Sequence, residues 1–176
     1  WQVYNTEFSS PFRETNYEPE FLLTYPTNID LWALQSRFIQ VGINHQSNGR
    51  GEPLSRSWNR FTANFGFERG VFNMILKTWV RIPEKDSQDD NSDITSYLGY
   101  GELWAGTIWG NYHLQLMFRN NLRFDKNRSA LQCEVSFPLL EYLNGYIQYF
   151  VGYGESLIDY NHYTNRIGVG VMVKDW

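Results

Sequence analysis

The sequence predicts an all-β chain folded as an antiparallel up-and-down β-barrel, and three observations carry that expectation. Apolar and polar residues alternate with a period of two in nearly every segment, as they do in strands with two unlike faces. Turn-forming clusters separate these segments, and no amphipathic helical pattern lies between them. Aromatic residues reach 18% of the chain, with 7 Trp, 12 Tyr and 12 Phe, a composition that suits strands and interfaces.

Taken in order, a strand is expected near 20 to 25, closed by the turn signal "YPTN". In "RFIQVGINHQS" the apolar Ile39, Val41 and Ile43 oppose Gln40, Gly42 and Asn44. "NRFTANFGFE" sets Phe61, Ala63, Phe65 and Phe67 against Arg60, Thr62 and Asn64. "ERG" then turns the chain into "VFNMILKTWVRI", where Phe72, Met74, Leu76 and Val80 oppose Asn73, Lys77 and Arg81. The acidic run "EKDSQDDNSD" reads as a long connection, solvated in preference to metal-binding at Asp86, Asp89, Asp90 and Asp93. Strands follow near 94 to 108 and 110 to 122. "ALQCEVSFPL" places Leu131, Cys133, Val135 and Phe137 opposite Gln132, Glu134 and Ser136. "NGY" marks a turn beside a strand near 145 to 153, and "YGES" precedes the last alternation, in which Ile167, Val169, Val171 and Val173 oppose glycines.

The compartment depends on which face is inside. A soluble barrel of the lipocalin type, or a sandwich, would turn the large apolar set inward. The complementary set holds Arg60, Lys77, Arg81, Gln132, Glu134 and Gln148 among glycines, which suits a narrow polar lumen. That balance favours a transmembrane barrel, with Trp32, Trp79, Trp104, Trp109 and Tyr149 as candidates for interfacial girdles.

A chain of 176 residues suffices for one domain, here 1–176, and requires no second one. The net charge of −4 offers no polycation for a phosphate backbone, so nucleic acid is not an expected partner. Cys133 stands alone, without a disulfide partner or a zinc cluster, and reads as a small buried or lipid-facing group. No apolar run approaches the roughly 20 residues of a membrane helix, and no signal peptide is visible.

One polar group interrupts the apolar parity. His45 and Ser47 continue the odd series of Ile39, Val41 and Ile43, while Asn59 belongs to the odd series of Phe61 and Phe65 on the next strand. A hairpin centred near Glu52 would set His45 opposite Asn59. Serine is a weak nucleophile that needs an adjacent base, and the base needs a third group to orient it. Asn59 can accept the imidazole N–H through its carbonyl, though it brings no negative charge. The small "SNGRG" segment would let a backbone N–H, that of Gly49, approach a developing oxyanion. A His-x-Ser pair at a strand end is also common as solvated loop chemistry. Its parity argues for catalysis, because polar groups on a lipid-facing surface need a reason. His113 and His162 lack such a setting and read as structural.

The chain resembles outer membrane phospholipase A, a family of dimeric bacterial phospholipases. The resemblance lies in "NHQSNGR" at 44 to 50 and "SRSWNR" at 55 to 60, with "SSPFRETNYEP", "DNSDITSYLGYG" and "GYGESLIDYN" extending it over almost the whole chain. It implies His45 as base, Ser47 as nucleophile, Asn59 as the orienting amide and Gly49 as the oxyanion amide. It further implies catalytic calcium, Ca2+, held by the backbone carbonyl of Arg50, the side chain of Ser55 and, from a second copy, Ser9, so that the active form is a homodimer. The implied setting is the bacterial outer membrane, and the implied substrates are phospholipids and lysophospholipids. A non-catalytic barrel, porin-like or an inactive fragment, is the competing reading. Two departures stand out. The family barrel has twelve strands, some before the point where this chain opens at Trp1, so a closed barrel is not assumed, and Trp176 is out of phase with Val173.

Overall fold

A computed structural model describes residues 14–173. Among the described residues, nine strands form one sheet in sequence order: β1 Glu20–Leu31, β2 Leu34–Ser47, β3 Ser57–Arg69, β4 Phe72–Ile82, β5 Gly101–Trp109, β6 Tyr112–Asn120, β7 Ser129–Pro138, β8 Leu143–Tyr153 and β9 Tyr163–Val173. Each is antiparallel to the next, and among the described residues no ladder joins β9 to β1. Strands of 9 to 14 residues match the roughly 9–11 tilted residues that cross a bilayer core. Among the described residues no helix is long and apolar enough to cross one.

Register carries the alternation from strand to strand, with shifts only between Pro26 and Ile29 and between Ser36 and Phe38. Ile43 lies opposite Phe61, Phe61 opposite Val80, Leu76 opposite Leu103, Leu116 opposite Cys133 and Ile147 opposite Val169. Because the side-chain period is two, these pairings keep all of them on one face. That face is the exposed one: Phe21, Val41, Ile43, Phe61, Val80, Ile167 and Val169 all stand open to the surroundings. Cys133 shares the same face as a free thiol.

The opposite face is polar and cross-linked. Arg60, only 7% exposed, donates to Glu18 at 2.7 Å and to Asn44, and its guanidinium lies 4.2 Å from the Trp58 ring centroid. Arg119 meets Glu102 at 3.3 Å and the carbonyls of Tyr153 and Gly154, while Lys77 reaches Glu102 from β4. Charges this buried persist only with such partners.

Short hairpins close one end of the wall and long connections gather at the other. At the long-loop end Trp58, Trp79, Ile94, Leu98, Leu157 and Tyr160 make a buried cluster, its two tryptophans edge to face at 6.2 Å. Met117, Ala130 and Phe150 form a second cluster with Trp104 beside it. Trp79 and Trp104 therefore serve the interior and not a girdle, as their strand parity dictates. Trp32 and Trp109 do stand exposed at the short-hairpin end.

Four local expectations fail for physical reasons. "YPTN" is no turn: β1 runs through it to Leu31 with a register shift between Pro26 and Ile29, an irregularity that tolerates a residue without an N–H. "NGY" lies inside β8, where Gly145 leaves room for the ring of its partner Phe137, and the turn falls earlier, at 139–142. The strand expected near 94 begins only at Gly101, because Thr95–Leu98 forms one helical turn that buries Leu98. The acidic run is not simply solvated. Asp89 pairs with Arg81 at 2.6 Å, Asp90 accepts from Ser55 and Asp93 accepts from Tyr160.

Candidate active site

The three side chains singled out by parity lie where β2 and β3 leave the sheet at the long-loop end. His45 pairs in register with Asn59, and Ser47 with Ser57. The His45 Nδ1 lies 2.9 Å from Asn59 Oδ1. Ser47 stands two residues further along β2 on the same face, and its backbone exchanges hydrogen bonds of 2.8 and 2.9 Å with Tyr17. This is the outward face. His45 and Asn59 line an apolar groove of about 470 Å³ together with Pro19, Phe21, Ile43 and Ile82.

Asn59 has a second partner. Its Nδ2 donates to Glu84 Oε1 at 2.8 Å. A carboxylate accepts and does not donate, so the amide must turn its NH2 toward Glu84 and its oxygen toward His45. The imidazole then donates from Nδ1 and leaves Nε2 available as a base.

The loop after Ser47 is organised by Asn48, which is 1% exposed. Its Oδ1 accepts from the backbone N–H groups of Arg50 and Arg56, and its Nδ2 donates to the Leu54 carbonyl at 2.8 Å. Gly49 follows with φ of 61°, and an added Cβ would meet the Tyr17 ring at 2.8 Å. Only glycine fits both constraints. Asn91 anchors the far side by accepting from the Ser57 N–H at 2.9 Å.

Oxygen-bearing side chains cluster beyond this turn. Ser55 Oγ donates to Asp90, whose carboxylate also raises the pKa of Glu52 through a shared hydrogen bond and like charge. Hydroxyl, carbonyl and carboxylate oxygens suit a hard divalent cation, which would relieve that repulsion. Among the described residues there is no group of three or more His, Cys, Asp or Glu able to hold a metal by themselves. Ser9 lies outside the described residues.

Asn48, Asn91 and Glu84 were not anticipated. Asn48 acts on backbone groups of a loop that alternation does not cover, Asn91 lies in the long connection 34 residues from the β3 N–H it meets, and Glu84 lies 25 residues from its amide partner.

An apolar outer face and a polar inner one define a membrane β-barrel wall, with a hydrogen-bonded His–Asn pair on its outer side. The phospholipase A1 family model matches residues 1–173, and the chain belongs to that family. Phospholipase A1 of Klebsiella pneumoniae is 41% identical over 175 residues, which covers 99% of this chain and 59% of the relative. The solved outer membrane phospholipase A from Escherichia coli superimposes with a TM-score of 0.90 at 40% identity, covering 99% of this chain and 71% of that one. An outer membrane phospholipase dimer of Salmonella typhi, solved with bound calcium, gives 0.89 at 40% identity over 99% of this chain and 66% of that one. The chain spans about three-fifths of the curated relatives it matches. Its apolar face is the lipid-facing surface of an outer-membrane barrel.

Proposed function

We propose that this chain carries the catalytic centre of a calcium-dependent outer-membrane phospholipase that hydrolyses acyl esters of phospholipids and lysophospholipids. The observation that carries the reading is the 2.9 Å contact of His45 Nδ1 with Asn59 Oδ1 on the outer face, where both residues line an apolar groove. A porin-like wall has no use for an oriented imidazole on its lipid side, whereas a lipase finds its substrate there.

In this mechanism His45 Nε2 takes the proton of Ser47 as its oxygen attacks the ester carbonyl. Asn59 holds the imidazole through Nδ1, which leaves Nε2 to serve Ser47, two residues further along the same face of β2. The Gly49 amide, presented by the left-handed turn that Asn48 braces, donates to the oxyanion. Collapse gives a Ser47 acyl-enzyme and a lysophospholipid, whose leaving oxygen takes the proton from His45. A water deprotonated by the same histidine then releases the fatty acid.

The Arg50 carbonyl and the Ser55 hydroxyl, with Ser9 of a second copy, are the residues that would hold calcium. When bound, the ion would supply positive charge that polarises the ester carbonyl. The calcium-bound dimer of the Salmonella typhi relative supports both the metal and a homodimer for this chain.

The test is hydrolysis of a phospholipid in mixed micelles by the full chain, with calcium and then with chelator. Wild type should lose activity on chelation. Ser47→Ala should lose at least ~10⁴-fold in kcat and all fluorophosphonate labelling. Calcium-independent hydrolysis, or labelling that survives in Ser47→Ala, would refute the reading.

A further inference from the structure

The residue that the mechanism leaves without a task is Glu84. Ile82 is the register partner of Asn59, so Glu84, two residues on, continues the outward parity of β4 beyond its last ladder pair. We propose that Glu84 is a positioning residue for the hydrolysis: its carboxylate, 2.8 Å from Asn59 Nδ2, gives a neutral Ser-His-Asn arrangement the orientation and negative charge it otherwise lacks. This rests on the reading of Ser47, His45 and Asn59 given under Proposed function.

Orientation comes first. The two ends of a carboxamide are nearly equal in shape, and a flipped Asn59 would set its NH2 against the imidazole N–H, two donors face to face. Glu84 accepts only, so it favours the single orientation in which the oxygen serves His45. Charge comes second. Hydrogen bonds in a chain polarise one another, so a carboxylate behind the amide strengthens the amide's grip on the imidazole. The effect is greatest when His45 carries the proton of Ser47 and becomes a cation. The other titratable group lining the groove is Glu20, from β1, which makes no such bridge to Asn59.

A merely structural Glu84 would tether the segment after β4 to β3 and nothing more. Glu84→Gln separates the two roles, since its amide oxygen still accepts from Asn59 while the charge is gone. The experiment follows kcat, KM and the pH profile of phospholipid hydrolysis in calcium-containing mixed micelles. It compares the full chain with its Glu84→Gln, Asn59→Ala, doubly substituted and Ser47→Ala forms.

The expected result for Glu84→Gln is a kcat about tenfold lower with KM within about twofold. Its acidic limb should move toward lower pH, because the protonated base is no longer stabilised. The loss should disappear in the Asn59→Ala background, where the bridge is already cut. A Glu84→Gln enzyme with wild-type kcat and an unmoved acidic limb would overturn the proposal, as would an undiminished loss in the Asn59→Ala background. Full activity in Ser47→Ala would instead overturn the catalytic reading beneath it. An inactive Ser47→Ala beside a wild-type-like Glu84→Gln would remove Glu84 alone.

Discussion

The two faces of β2 and β3 carry polar networks a few residues apart that answer opposite demands. Inward, Asn44, Arg60 and Glu18 lock together with the guanidinium stacked on Trp58, every charge met and the cation 7% exposed. Outward, His45 and Asn59 join through one neutral contact, with the carboxylate one step further away and the groove beside them lined by Phe21, Ile43 and Ile82. The inner network is closed and gains by staying still. The outer one keeps a ring nitrogen uncommitted, and an uncommitted base is what chemistry requires. Strand pleating allows both, since adjacent residues such as Asn44 and His45 point to opposite sides.

Substitutions that cut each network should separate stability from activity. The largest stability effect is expected inward: Arg60→Ala should lower the unfolding free energy of the refolded barrel in detergent by about 3 kcal/mol, since it strands Glu18 and Asn44 and removes the stack on Trp58. His45→Ala in the same assay should cost under about 1 kcal/mol while hydrolysis is lost. Equal destabilisation by the two would mean that the inner and outer networks do not differ in this way.

Comparable in size is a charge on the outer face. Val41→Lys, halfway along β2 and 49% exposed, should cost about 2–4 kcal/mol in lipid vesicles, falling toward zero if that surface faced water. A neutral result would sink the placement of the apolar face against lipid. The smallest effect belongs to the cation site: Ser55→Ala should raise the calcium concentration for half-maximal hydrolysis about tenfold, or about 1.4 kcal/mol, with the maximal rate nearly kept. An unchanged calcium midpoint would exclude Ser55 as a ligand.

Much of this was legible in the residues. A period of two is enforced by pleating, so Val41, Ile43 and His45 had to share a face, and a hairpin about Glu52 had to set His45 against Asn59. Turn chemistry was less readable. The proline of "YPTN" and the glycine of "NGY" speak for turns locally, yet the first sits at a register shift and the second beneath Phe137. Trp79 and Trp104 looked like girdle residues because aromatic identity hides direction, which only their strand parity supplies.

Alternation by itself determined the all-β class, the two unlike faces and the joint placement of Ser47, His45 and Asn59, because those follow from neighbours one hairpin apart. Tertiary structure alone decided the contacts that hold the long-loop end together. Glu14 accepts from the N–H groups of Leu157 and Ile158, Tyr160 donates to Asp93, and Asn59 donates to Glu84. Such partners meet only after the strands have fixed where each loop emerges, and no short-range pattern encodes which carboxylate will arrive at which donor.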